Sequence, residues 1–368
     1  MQTFTYDILI KGAGPTGSSL ALMLASQSDY PERIAVAGSL VTELRKEQKD
    51  PRSLALNQGS KAFLESINAW PEVCAPITKV HVSQKGRMGS TVIHNSDLNV
   101  DSLGDVVDYH SLIHTMHDKL QNSGVSLISY DEAGSYNARI YVVSHGGKPT
   151  GLQRAYNQSA LLAMVTASQP QPGWAYERFT RQGPLALLPH PYSDNTYALV
   201  WCNKPEQSSM LLELGTSEFN YALQQQFGDR LGKLECISSR HIFPLTMHAG
   251  PQLQNTNTVA IGNAAQTLHP VAGQGLNLGL RDVAQLGIVL TPWLANPHKD
   301  PLPALEQYVR NRRADRNISM AVTDLLPRIF VTGSSLIEHA CGLALMGMDI
   351  AKPIRNIFAR QLMQGFRV

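Results

Sequence analysis

Val259-Ala260-Ile261-Gly262-Asn263-Ala264-Ala265-Gln266-Thr267-Leu268-His269-Pro270-Val271-Ala272-Gly273-Gln274-Gly275-Leu276-Asn277-Leu278-Gly279-Leu280-Arg281-Asp282 reads as a strand, a tight loop and a helix start. Val259 to Ile261 is short and apolar. Small residues and Pro270 make the turn, and Gly273-Gln274-Gly275 opens the helix. Such a corner gathers backbone N–H groups at the positive end of a helix dipole, where an anion or an electron-rich carbonyl is stabilised. The glycines let a flat group approach the backbone. On these residues alone, an ordinary strand–loop–helix corner of an α/β domain fits equally well.

A comparison of motifs separates the two readings. The run Gly262-Asn263-Ala264-Ala265, His269-Pro270, Ala272-Gly273-Gln274-Gly275 and Asn277 resembles the second flavin-binding motif of the FAD-dependent aromatic hydroxylases. It is most similar to their ubiquinone-biosynthesis branch, and there to the 2-polyprenyl-6-methoxyphenol hydroxylases. The resemblance implies that Asn263 lies by the ribityl chain and that the loop from Pro270 through Gly273, Gln274 and Gly275 passes the reactive ring. It also implies that N–H groups around Leu276 and Asn277 face the flavin pyrimidine carbonyl, where reduced flavin carries negative charge.

The N-terminus carries its own signature. Tyr6-Asp7-Ile8-Leu9-Ile10 is an apolar strand, Gly12-Ala13-Gly14-Pro15-Thr16-Gly17 follows at once, and an Ala/Leu-rich helix runs from Ser18 to Ser26. G-x-G-x-x-G between a strand and a helix is the dinucleotide fingerprint: a tight turn, room for a pyrophosphate, and close helix–strand packing. The next strand, Arg33 to Ala37, ends in Ala37-Gly38-Ser39 rather than in the acidic residue that usually holds the adenosine ribose. Ser39 offers one weaker hydrogen bond there. A second departure is Ser144-His145-Gly146, where the resemblance leads one to expect Ala-Asp-Gly after a longer β-meander.

Asp50-Pro51-Arg52-Ser53-Leu54-Ala55-Leu56 is similar to a family segment whose arginine lies near the flavin, which assigns Arg52 that role. A loop arginine satisfied by Asp50 is the plainer alternative. His110, His114 and His117 share one face of a helix expected up to Asn122, but no nearby Cys or Glu completes a metal set, and a partly exposed helix face explains them. Trp174 to Thr180, Gly183 to Pro189 and Tyr197 to Cys202 read as successive strands, with further strands at Leu161–Val165 and Ser238–Phe243. The resemblance makes this sheet the cover of the flavin and the lining of the substrate cavity. Leu302 to Met320 reads as a helix whose arginines form a solvated face. The basic, amphipathic tail from Leu325 to Val368 either packs on the body or touches a membrane surface or a partner.

Composition bounds the rest. The 368 residues are 43% apolar and only 16% charged, as in a core-rich globular chain. A net charge of +2 gives no reason to expect nucleic acid. Cys74, Cys202, Cys236 and Cys341 form no C-x-x-C pair and read as reduced thiols. With no export signal the expected placement is cytoplasmic, with peripheral contact on the inner face of the membrane.

The expected fold is α/β: a Rossmann-like FAD-binding domain, an antiparallel substrate-domain sheet and C-terminal helices. The FAD domain would collect residues 1–75, 106–150 and 255–300, the sheet 76–105 and 151–254, and the helices 301–368. The resemblance implies a flavin-dependent monooxygenase that hydroxylates the ring of a polyprenyl phenol. FAD would be the cofactor, NAD(P)H a transient co-substrate, and O2 the oxygen source through a flavin C4a-hydroperoxide. No side chain stands out as a general base, and no catalytic residue is assigned beyond the flavin. Two rivals remain: a non-catalytic, FAD-poor subunit of a biosynthetic assembly, favoured by the two missing carboxylates, and a hydroxylase of a soluble aromatic.

Overall fold

The computed structural model describes residues 4–39, 51–87, 89–146, 151–269, 273–330, 335–350 and 356. Two large sheets and a small one organise them. In the first, Thr258–Ala260, Ala138–Val143, Tyr6–Lys11, Ile34–Ala37 and Ser126–Ile128 lie side by side and parallel, with Leu253–Asn255 antiparallel at one edge. Parallel strands are buried on both faces, which is why these segments are nearly all apolar. Ile8, Ile10 and Val142 pack with Leu20 and Leu24 of the Pro15–Ala25 helix and with Val283 and Leu286 of the Gln274–Leu294 helix.

The second sheet has nine strands. Leu152–Ala167, Ser193–Asn203, Pro184–His190 and Trp174–Phe179 run antiparallel in that order, and Trp174–Phe179 then pairs in parallel with Lys79–Gln84. Strand alternation gives it two faces. Leu161, Leu185, Leu187, Leu199 and Trp201 pack on Phe219 and Leu223 of the Thr216–Phe227 helix. The intervening residues face a cavity. Ser53–Asn57, Gly104–Asp108 and Ala75–Ile77 make the small third sheet.

Several elements differ in extent from the sequence reading. The strand expected at Leu161–Val165 is Leu152–Ala167, because a bulge between Ala155 and Gln158, with Asn157 at φ 51°, carries the chain past a polar stretch. The strand expected to stop before Pro244 is His241–Ala249. Its second neighbour, Gln266–Thr267, reaches only His248 and Ala249, so Pro244 sits where no partner needs its N–H on that side. The Pro205–Glu213 helix was not expected; its signal is Pro205 at the first helical turn.

The helix beginning at Leu302 continues to Phe330, and a further one spans Ser335–Ile350. The latter packs against the strands Lys79–Gln84 and Ser90–His94, so close that a Cβ on Gly89 would meet the Gly342 carbonyl. The described part of the tail therefore packs on the body. Among the described residues no helix is long and apolar enough to cross a membrane.

The solvated arginine face holds at the exposed Arg310 and Arg313 and requires correction at Arg312 and Arg316. Arg312 is buried, with Nε donating to Asp282 at 2.8 Å and a second ion pair to Asp315. Arg281 reaches Asp315 at 2.5 Å, and Arg316 donates to Gln266 at 2.7 Å and to the Gly250 and Ala265 carbonyls. A buried charge needs such pairing, and the partners come from the preceding helix (Asp282), the same helix (Asp315) and the Gly250 and Ala265–Gln266 segments.

Candidate functional site

Gly12 to Gly17 leads from the Tyr6–Lys11 strand into the Pro15–Ala25 helix. Each glycine has a separate reason. Gly12 has φ +124° and lies against the backbone of Ser144 and His145. A Cβ on Gly17 would sit 1.9 Å from the Gly12 carbonyl oxygen. Gly14 has the unremarkable extended backbone φ −74°, ψ 178°, and a Cβ there would meet nothing within 4 Å. Neither conformation nor packing demands glycine at that point, and the space belongs to the cavity.

The loop carbonyls are held from behind. Ala13 O accepts from Ser18 Oγ at 2.9 Å and from His117 Nε2 at 2.7 Å. A carbonyl only accepts, so His117 carries its proton on Nε2. Burial lowers the pKa of His117, which keeps the ring neutral. Gly12 O accepts from Ser144 Oγ at 3.0 Å. With those carbonyls tied back, and with no acidic side chain or cap on the first turn, the helix N–H groups are left facing the cavity. His117 is thus a buried support of the glycine loop rather than part of an exposed face; His114 is exposed and pairs with Asp118.

The second motif arrives on the same cavity. Gly273, at φ +60°, caps the Gln274–Leu294 helix without a side chain, and Gln274, Gly275, Leu276 and Asn277 form its first turn. A Cβ at Gly275 would again meet open space. Thr16 locks the two helix starts together: Cβ atoms on Gly262 and Gly279 would lie 2.9 and 2.8 Å from its Cγ2. The Asn277 side chain bolts the corner to the third sheet. Its Oδ1 accepts from Asn57 N–H at 3.0 Å and Ser60 Oγ at 2.7 Å, and its Nδ2 donates to Ala55 O at 3.0 Å and Gly273 O at 2.8 Å. Replacing Asn277 by Ala removes four hydrogen bonds, two of them to the buried Asn57 and Ser60. The expected cost is about 2–4 kcal/mol, seen as a lower Tm together with weaker FAD retention on dilution.

The remaining sequence candidates are placed as follows. Asn263 is exposed within the 3-10 turn Gly262–Ala264 and lines the cavity. Arg52 lines it too, with its guanidinium 4.6 Å from the Tyr109 ring centroid. Asp50, its alternative partner, lies outside the described residues, as does Pro270. Ser39 is exposed just beyond the Ile34–Ala37 strand. In place of the aspartate, the His145 ring packs edge-on against Tyr130 at 5.6 Å. His269 is buried, with Nε2 3.0 Å from Gln158 Oε1 and its ring edge-on to Tyr156, and burial lowers its pKa to about 4.

The cavity measures about 1020 Å³ and is continuous. One end is the pair of helix starts. The other is the inner face of the large sheet, with Leu326 and Ile329 of the Leu302–Phe330 helix and Cys341 and Ala344 of the last helix. Backbone donors at one end and apolar walls at the other suit a long anionic dinucleotide lying beside a greasy substrate. Beyond the sequence candidates, the structure adds Ser144 and His117 behind the glycine loop, Asp282 behind Gly262, and Glu177 in the apolar wall.

Residues 146–322 match the family described as FAD binding domain. Over nearly its whole length the chain is similar to ubiquinone hydroxylase UbiL of Rhodospirillum rubrum (27% identical, 97% of this chain and 89% of that one). It is likewise similar to the 3-demethoxyubiquinol 3-hydroxylase of Escherichia coli (25%, covering 95% and 96%). Residues 146–322 thus carry an FAD-binding domain, and the chain resembles hydroxylases of ubiquinone biosynthesis over nearly its whole length. The fold agrees: p-nitrophenol 4-monooxygenase PnpA of Pseudomonas putida DLL-E4 superposes with a TM-score of 0.72 at 13% identity over all of both chains. PqsL of P. aeruginosa gives 0.70 at 17% over 92% and 99%. Asn263 and the Gly273–Asn277 turn, which line the cavity, fall inside the matched segment.

Proposed function

We propose that this protein hydroxylates the aromatic ring of a polyprenyl phenol in ubiquinone biosynthesis, with NAD(P)H and O2 as co-substrates. The observation that carries the reading is the single cavity running from two uncapped helix starts to a wall of Leu162, Val200, Ala186 and similar apolar residues. FAD supplies the redox chemistry that activates O2. The N–H groups of Gly14, Pro15-Thr16-Gly17 and their turn would take its pyrophosphate, apart from proline, which has none. Those of Gly275, Leu276 and Asn277 would take the pyrimidine carbonyl, Asn263 the ribityl chain, Ser39 the ribose, and Arg52 the flavin edge. The apolar sheet face holds the ring and tail and excludes water from the reacting atoms.

In this reading the cofactor domain comprises residues 1–75, 106–150 and 255–300, the substrate sheet 76–105 and 151–254, and the C-terminal helices 301–368. Exposed Leu325, Leu343 and Met346 on those helices support peripheral contact with the membrane that dissolves such a substrate. The test begins with the visible spectrum of the purified chain before and after excess FAD and gel filtration. Retained flavin bands are expected, followed by NADH or NADPH oxidation that depends on a prenylated phenol and yields a product one oxygen heavier. A colourless protein that takes up no FAD, or oxidation with no oxygenated product, overturns the proposal.

A further inference from the structure

Alternation along Trp174–Phe179 places Ala175, Glu177 and Phe179 on the cavity face. Strand register extends one row across five neighbours: Leu162 opposite Val200, Val200 opposite Ala186, Ala186 opposite Glu177, Glu177 opposite Val82, and Val82 opposite Thr91. All six line the cavity. Among the described lining residues only Arg52 and Glu177 carry a formal charge, and Arg52 belongs to the glycine-loop end. Glu177 therefore sits alone in the apolar wall, and no described residue gives its carboxylate a hydrogen bond or an ion pair. An unpaired carboxylate in such a wall is costly to folding and marks a ligand-facing group.

We infer that Glu177 reads the phenolic hydroxyl of the substrate: it accepts that O–H, takes its proton as the ring is oxygenated, and turns away aromatic acids by charge. The inference rests on the polyprenyl-phenol reading above. In the step, the phenol O–H bond breaks and an O–H bond forms on the Glu177 carboxylate. The electron pair left on oxygen spreads to the ortho and para carbons, one of which attacks an oxygen atom derived from O2. NAD(P)H is the reductant, and the second oxygen leaves as water. The ring carbon then loses its hydrogen as a proton, and Glu177 returns its own proton to the product oxygen.

Burial alone raises the Glu177 pKa to about 7, a value at which a carboxylate both takes and returns a proton near neutrality. The neighbouring titratable groups leave it that task. Cys202, two strands away, is a thiol held neutral by burial and by Glu177 itself. Tyr176 donates to Gln171, and Arg178 turns to Gln226 O and Ser83 on the opposite face. Cys341 reaches the cavity from the last helix.

The test uses the FAD-loaded protein, Glu177→Gln and Glu177→Asp, with 2-geranylphenol and 3-geranyl-4-hydroxybenzoate as probes. For the wild type, kcat on the phenol rises with pH through a limb near 7. In Glu177→Gln, kcat falls about 100-fold and the limb disappears. KM for the phenol stays within about threefold, because the amide oxygen still accepts. Glu177→Asp keeps the limb. By equilibrium binding, without turnover, the preference for the phenol over the acid drops at least about tenfold in Glu177→Gln, with flavin content unchanged. A Glu177→Gln enzyme with wild-type kcat, pH limb and preference overturns the assignment while leaving the hydroxylase reading intact. A wild type that oxygenates no phenol overturns both. If Glu177→Gln loses its flavin, the wild type decides: a flat profile from pH 6 to 8 with equal affinity for acid and phenol overturns the assignment.

Discussion

Gly14→Val abolishes FAD retention and leaves the fold standing, whereas Gly17→Val breaks the fold itself. The two glycines lie three residues apart in one motif, yet the structure separates them. At Gly14 the backbone is extended, at φ −74° and ψ 178°, which valine adopts without strain, and the new Cβ enters open space. The apo-protein Tm therefore holds or rises slightly, since losing a glycine reduces the freedom of the unfolded chain. The added methyls occupy the approach to the helix N–H groups, so FAD affinity falls at least about 100-fold. At Gly17 the Cβ would lie 1.9 Å from Gly12 O and 2.5 Å from Ser144 Oγ. Helix and strand must then part, and soluble yield and Tm collapse together. Flavin absorbance per mole of protein and a thermal melt distinguish the two. Equal flavin content in Gly14→Val and wild type would sink the cofactor assignment.

The second large effect is expected at Asp282. Its side chain is fully buried, and its two oxygens serve Gly262 N–H at 3.1 Å, Gln266 Nε2 at 2.6 Å and Arg312 Nε at 2.8 Å. Asp282→Ala strips Arg312 of one carboxylate and leaves Gly262 and Gln266 without acceptors. Breaking a buried pair from one side costs about 3–5 kcal/mol, which lowers Tm on the order of 5–10 °C. Flavin retention falls with it, because Gly262 seats Thr16 between the two helix starts. A Tm within error of wild type would mean that this network contributes nothing.

The two sites mark where the sequence was readable and where it was not. Gly12, Gly17 and the helix start at Gly273 are legible because each rests on local chemistry: a turn, a close approach, a left-handed cap. The parallel strands are legible because burial on both faces leaves short apolar runs such as Ile8-Leu9-Ile10. Arg312 and His117 were not legible. Each sits on an amphipathic helix and looks like a surface residue until Asp282 or Ala13 is brought to it by packing across the fold. Glu177 is a middle case. Alternation shows that it shares a face with Ala175 and Phe179, but which face of the sheet meets the cavity depends on where Phe219 and Leu223 dock. The strand Leu152–Ala167 was seen only in its apolar half, since the bulge at Asn157 breaks the alternation.

The Asn277 bolt has a consequence in time. Its four partners, Ala55, Asn57, Ser60 and Gly273, come from both ends of the cofactor corner. During synthesis the glycine loop leaves the ribosome first and waits roughly 260 residues for the asparagine, on the order of half a minute at ordinary elongation rates. Until then the nascent chain holds the first helix start, and the second joins it across the cavity only when Asn277 has been made.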